Sequence, residues 1–179
     1  MPVFEQPVEP VVLICATLTR GIAEMTAAAE RVERHFGPIT GRSPTYPFDF
    51  SAYYREEMGD GLVKQLFRVG KPVDPASLYH TKKKTMEIER ELAEEKHGKL
   101  CRRANIDPGL VSIESLVLAT TKYSGHRICI GPGLFAETTL LFQKGKCRPQ
   151  EWTYPDYQTP VVQAFLLKIR ATLLQNRRA

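Results

Sequence analysis

His126 and Glu137 are the two side chains of this sequence best suited to moving a proton, and the residues between them suggest how they meet. Pro132-Gly133 has the chemistry of a tight turn. If those two residues close a hairpin, Ile130 faces Phe135, Ile128 faces Glu137 and His126 faces Thr139. Side chains alternate across a strand. His126 and Glu137 then share a sheet face as diagonal neighbours, roughly 7 Å apart between backbones, together with Thr121 and Tyr123. In that register His126 is a candidate general base and Glu137 its orienting partner. The alternative is structural: an ionised carboxylate facing a core is costly unless paired, and Glu137 then only satisfies a buried histidine or amide. No third ligand stands at a recognisable spacing from the pair, so no metal site is assigned.

The same alternation puts Thr120, Lys122, Arg127 and Thr138 on the opposite face. Lys122 and Arg127 are candidates for clamping a phosphate or carboxylate, with arginine supplying a planar fork; a solvated strand face is the other reading. Upstream, Arg102, Arg103 and Asn105 precede Asp107-Pro108-Gly109. Asp107 reads either as a ligand to a ribose hydroxyl or metal, or as an Asx turn bonding its own amides. Trp152, Tyr154, Asp156 and Tyr157 lie on a stretch stiffened by Pro149 and Pro155. Rigid aromatics there suit stacking on a base or covering the open edge of a sheet. Lys82, Thr85 and Glu89 form a polar strip at the edge of a helix face. Cys101 and Cys147 sit among cations, which can lower a thiol pKa and allow mild reactivity, although free surface thiols are the favoured reading, whereas Cys15 and Cys129 read as small buried hydrophobes.

The elements that must position these residues follow from periodicity. Val11 to Leu18 is an apolar, β-branched run, a buried strand. Ile22, Met25, Ala29, Val32 and Phe36 form one helical stripe, stopped by Gly37-Pro38. Strands are expected over residues 39–46 and 62–69, with a short helix capped by Ser51 between them. Asp74-Pro75 opens a helix running to about Glu95, and a strand follows near residues 104–106. This order resembles a split βαβ arrangement. Residues 115–123, 126–131 and 135–144 read as an antiparallel meander, and Val162, Phe165, Ile169 and Leu173 as the buried stripe of a last, amphipathic helix. The fold class is α+β, one domain over residues 1–179 with a flexible segment over 1–10.

Composition narrows the function classes. No apolar run approaches the ~20 residues of a membrane-spanning helix, and the first ten residues lack the pattern of a signal peptide, so a cytoplasmic location is expected. The four cysteines contain no Cys-x-x-Cys clip, which argues against a zinc ribbon. A net charge of +5, concentrated at Lys82-Lys83-Lys84, Lys99 to Arg103 and Arg177-Arg178, favours an anionic partner.

Four blocks carry a resemblance: Phe48-Asp49-Phe50-Ser51-Ala52-Tyr53-Tyr54 with Glu57-Met58-Gly59; Asn105-Ile106-Asp107-Pro108-Gly109; Leu118 to Lys122 with His126-Arg127-Ile128; and Trp152 to Tyr157. In order along nearly the whole chain, they are similar to an uncharacterised bacterial family, the domain of unknown function numbered 4416. The resemblance implies no catalytic residue and no cofactor. Some relatives are labelled GTP-binding, which implies a nucleotide partner. No Gly-x-x-x-x-Gly-Lys-Ser/Thr string is present, so a nucleotide must be held without a P-loop. The leading expectation is a protein that binds a small anionic ligand, of nucleotide type, through Arg103, Asn105, Asp107, Lys122, Arg127, Trp152, Tyr154 and Asp156, with His126 and Glu137 as acid and base should it carry out hydrolytic or phosphoryl chemistry. An RNA-binding module using the basic clusters and stacking aromatics, and a protein-interaction module using an exposed aromatic patch, are the other two.

Overall fold

The computed structural model describes residues 3–4, 7–96 and 98–177. The rest of the segment expected to be flexible, residues 1, 2, 5 and 6, and Arg178 of the basic tail lie outside them. The chain runs β1 (Val11–Thr19), α1 (Ile22–Phe36), β2 (Ile39–Arg42), β3 (Tyr46–Pro47), a 3-10 turn over Ala52–Tyr54, α2 (Arg55–Met58), β4 (Val63–Val73) and α3 (Leu78–Leu92). It continues with β5 (Glu94–Lys96), β6 (Lys99–Cys101), β7 (Ala104–Val111), β8 (Ser115–Thr120), β9 (Ile128–Gly131), β10 (Leu134–Gln143), β11 (Lys146–Pro149) and α4 (Pro160–Asn176). The third helix ends earlier than its periodicity suggests: Glu94–Lys96 pair with Lys99–Cys101 as a separate β5–β6 ladder.

One antiparallel sheet has the order β11-β10-β8-β7-β1-β4-β2, with β3 beside β4 and β9 beside β10. Its first half is two interleaved split βαβ units. β1 and β2 run parallel with β4 between them, and β4 and β7 run parallel with β1 between them. This is the ferredoxin-like arrangement. α1 and α3 cover one face, where Met25, Ala29, Val32 and Ile88 pack on Leu13, Cys15, Phe67 and Ile106. α4 covers the other, laying Val162, Phe165, Leu166, Ile169 and Leu173 on Ile14, Leu66, Val111 and Leu140. β1 is buried along its whole length, which is why its sequence is a continuous apolar run rather than an alternating one. Burial pushes the Cys15 thiol up to about 12. No described helix is long and apolar enough to cross a membrane.

The second half is antiparallel as expected, but its strands join in a different order. β8 pairs with β10, and β9 lies along the other side of β10. The turn does fall at Pro132-Gly133, with Leu134 opposite Gly131, but a bulge directly after it brings Cys129 rather than Ile130 opposite Phe135. Ile128 then faces Ala136, not Glu137. Because β9 is an edge strand, Cys129 is exposed rather than buried. A second departure matters more for function. Asn105-Ile106-Asp107-Pro108-Gly109 is not a turn but the body of β7, so the Asx-turn reading of Asp107 does not hold.

Gly70 shows how tightly α1 seats on the sheet. It has φ of 64°, and a Cβ there would lie 2.5 Å from the carbonyl oxygen of Phe36. Gly70→Ala is expected to destabilise by on the order of 2–3 kcal/mol, read as a lowered urea midpoint. Gly125→Ala, where a Cβ meets open space, should change stability by less than about 0.5 kcal/mol.

Candidate functional site

β7 and β8 form a ladder only where Gly109, Leu110 and Val111 face Leu118, Val117 and Leu116. Toward the start of β7 the two strands part. The backbone exposed at that edge is satisfied by side chains of α3: Ile106 N–H donates to Glu89 Oε1 at 2.7 Å, and Lys82 Nζ donates to Ile106 O at 3.4 Å. Backbone groups alternate sides along a strand, so Pro108 turns its nitrogen to the same edge, where it has no N–H to leave unpaired. The opening is a cleft of about 370 Å³, the size of a small-ligand site. Phe48, Tyr53, Tyr54 and Tyr154 supply aromatic walls, and Thr120 at the end of β8 borders it with Thr121 and Lys122 of the connection that follows.

The charges inside are arranged in pairs. Lys82 Nζ meets Asp107 Oδ1 at 2.9 Å, Asn105 Nδ2 donates to Asp107 Oδ2 at 2.8 Å, and Arg102 donates to Asn105 Oδ1 at 2.8 Å. Arg102 also grips Glu57 through Nε and Nη2, at 2.9 and 2.7 Å, a bidentate pair of the kind arginine favours. On the far wall Lys64 Nζ donates to Asp156 Oδ2 at 2.6 Å, and Tyr46 Oη donates to the same oxygen at 3.3 Å. The Lys64 ammonium lies over the rings of Tyr157 and Phe48, 4.8 and 5.3 Å from their centroids. The Tyr157 hydroxyl is buried with no hydrogen-bond partner among the described residues, an arrangement that costs about 1–3 kcal/mol.

Two carboxyls of this cleft titrate in opposite directions. Burial pushes Glu89 up, and Lys82 opposes that without reversing it. Burial also pushes at Asp107, but there Lys82, by charge and by hydrogen bond, outweighs it and the carboxyl is held low. Lys82 is pulled down by burial and pushed up more strongly by Asp107 and Glu89 together, for a net rise. Burial and the Asp107 charge raise Tyr54, whose hydroxyl stays a donor. No group of three or more His, Cys, Asp or Glu among the described residues is placed to hold a metal ion.

His126 and Glu137 do meet, Nε2 to Oε2 at 3.2 Å. Arg127, expected on the other face, meets Glu137 too, Nε to Oε2 at 2.6 Å. The reason is that 126 and 127 are not in a strand. They end the 121–127 connection from β8 to β9, and strand alternation does not apply to them. The rest of the Arg127 guanidinium goes to Lys122 O and Tyr154 Oη, both at 2.8 Å. It is a buried brace rather than a free anion clamp. His126 has Nδ1 on Ser124 Oγ at 3.1 Å and its ring stacked on Trp152 at 4.6 Å and 12°. With both nitrogens engaged and a face covered, it does not line the cleft and presents no proton to it.

The remaining expected residues divide. Asn105, Asp107, Lys122, Tyr154 and Asp156 line the cleft. Arg103 does not; it pairs with Glu24 of α1 at 2.9 Å, facing elsewhere. Trp152 also stays out, stacking on His126 and donating to Thr138 O at 2.9 Å. Lys64, Lys82, Glu89, Tyr54 and Tyr157 complete the site. The helical strip Lys82-Thr85-Glu89 pointed to two of them; Lys64 was missed, and the signal that could have found it is a lysine alternating with Leu66 along β4. The basic clusters do not form a continuous stripe: Lys82 points inward, and Lys84, Arg102, Arg103 and Arg177 pair with Glu87, Glu57, Glu24 and Glu9. Burial pushes the Cys147 thiol up to about 11, against a reactive thiolate.

Arg127→Ala would leave the buried Glu137 carboxylate with only His126 and Thr139. It should cost about 3–5 kcal/mol, measured by urea unfolding. The opposed carboxyls give a pH test. Asp107 is held low, so it contributes stability above the ordinary carboxylate range that is lost as pH falls through that range and below. Glu89 is raised, so it carries a cost that is absent in acid and grows as pH rises from that range. At pH 7 Asp107→Asn should therefore lower the urea midpoint and Glu89→Gln should raise it; the Glu89 difference should shrink toward pH 4, and the Asp107 difference only below that, as pH falls beneath the ordinary carboxylate range.

A family model described as a domain of unknown function (DUF4416) matches residues 9–173. No curated protein and no solved structure matches the chain.

Proposed function

Since the chain belongs to the DUF4416 family, whose description assigns no activity, we propose a function from the cleft itself: it binds a small organic anion of the nucleotide class, without a P-loop. The observation that carries this reading is the contrast between rim and interior. Inside, Lys64, Lys82 and Arg102 each have a carboxylate partner. At the rim, Lys122 and Arg90 form no ion pair among the described residues, although Arg90 acts on nearby Glu87 at longer range. The Lys122 ammonium rests over the Tyr53 ring, 3.8 Å from its centroid. An ammonium held on an aromatic face keeps its N–H donors available, and two unpaired cations at the mouth of an aromatic-walled cleft suit a ligand that is charged at one end and flat at the other. The paired state of the other basic clusters leaves an extended RNA track without support.

A thermal-shift series of nucleoside mono-, di- and triphosphates tests this. A ligand at 100 times its Kd adds about 2.7 kcal/mol of stability, a readily seen rise in Tm. Lys122→Ala should weaken a phosphorylated ligand by about 10- to 100-fold, the loss of one charge-assisted hydrogen bond, with little change in the Tm of the free protein. A series in which no nucleotide moves the Tm defeats the proposal.

A further inference from the structure

The interior of the cleft carries hydrogen-bonding capacity that the protein does not use. Lys64 is 7% exposed, and its ammonium has one acceptor, Asp156 Oδ2. Asp156 is 2% exposed; its Oδ2 receives both Lys64 and Tyr46, and its Oδ1 receives nothing among the described residues. The Tyr157 hydroxyl, on a residue 1% exposed that also lines the cleft, has no partner either. The Tyr54 hydroxyl makes no hydrogen bond to the described residues. Buried polar atoms are nearly always paired, so the Tyr157 hydroxyl is unusual, and the groups around it indicate what completes it.

A phosphate does not. Asp156 and Asp107 line the same space and would repel it. The Lys64 ammonium, bonded to the other oxygen of Asp156, lies over the rings of Phe48 and Tyr157, and the Tyr157 hydroxyl is within reach of the Asp156 charge. That set is complementary to a flat, uncharged group that accepts at one atom and donates from its neighbour. Heterocyclic bases carry such adjacent acceptor and donor atoms on their edges and present a π face to aromatic side chains.

Resting on the reading of the cleft as a nucleotide site, we infer that the base enters first: its edge hydrogen-bonds to Lys64 and Asp156 at the floor, with the Tyr157 hydroxyl as a further partner, while the phosphate stays outside at Lys122 and Arg90. Recognition then lies in the floor and general anion affinity in the rim.

Three probes separate the two ends: a nucleoside, its 5′-monophosphate, and ribose 5-phosphate, each titrated calorimetrically into the full-length protein. The nucleoside and the nucleotide are expected to bind, and ribose 5-phosphate at least about 10-fold more weakly than the nucleotide, the loss of one or more base contacts. Tyr157→Phe removes a hydroxyl with no protein partner. It should leave the Tm of the free protein unchanged or raised, lower nucleoside affinity about 10-fold, and leave ribose 5-phosphate unaffected. Lys64→Met combined with Asp156→Asn keeps the interior neutral, and this folded double variant should lose nucleoside binding. Ribose 5-phosphate binding as tightly as the nucleotide, or a folded double variant that binds the nucleoside like the parent, overturns the base-first placement while leaving the anion site standing. Failure of all three probes removes both.

Discussion

Ile106 has to find partners for its N–H and C=O where β7 leaves β8. Buried backbone groups must be paired, and the strand that would pair them has turned away. Glu89 and Lys82 supply the missing bonds from α3, and the rest of the site follows from that substitution. An acid and a base brought to a strand edge need compensation of their own. Lys82 finds it in Asp107, which is also held by Asn105, which is held by Arg102, which grips Glu57 on α2. One unpaired stretch of backbone thus generates a chain of hydrogen bonds that fixes α3, β7 and α2 to each other and leaves a cleft beside it.

The opposite wall is secured by a second constraint. Glu137 points from β10 with almost no exposure, and its charge is met by Arg127 and His126 at the end of the 121–127 connection. Arg127 in turn holds Tyr154, and His126 holds Trp152. The residues that most resemble a catalytic pair in the sequence therefore act as a clamp, tying the connection between β8 and β9 and the aromatic loop after β11 to β10. That clamp sets where Tyr154, Asp156 and Tyr157 stand relative to Lys64. A buried ion group of this kind does not add much net stability over an apolar one of equal shape, yet it tolerates the loss of no single member.

The cleft has a division of labour that a surface charge map does not reveal. Its interior cations are neutralised in place and its rim cations are not. The overall charge of +5 consequently says little about the ligand, because much of the basic content is locked in ion pairs with Glu24, Glu57, Glu87, Asp107 and Asp156. Membership in a family without an assigned activity leaves the local chemistry of the cleft as the guide, and the proposed ligand, with one charged and one flat, hydrogen-bonding end, rests on that chemistry alone.

Local rules were enough to read the α+β class, the buried first strand, the split βαβ order and the stripe of the last helix, because each depends on periodicity and end signals within a few residues. They also picked out Asn105, Asp107, Lys122, Tyr154 and Asp156, which the structure brings together at the cleft. Strand alternation failed at Arg127, since it presumes an unbroken ladder and the chain there is a connection entered through a bulged hairpin. It failed at Asp107 for the opposite reason: proline and glycine read as a turn, although a strand edge with no neighbour accepts a residue lacking an N–H. Lys64 entered the site, and Glu89 and Tyr157 took their places in it, only in three dimensions. Their roles depend on which strands part and which helix fills the gap, and that is decided by the pairing of distant backbone groups rather than by the character of any one segment.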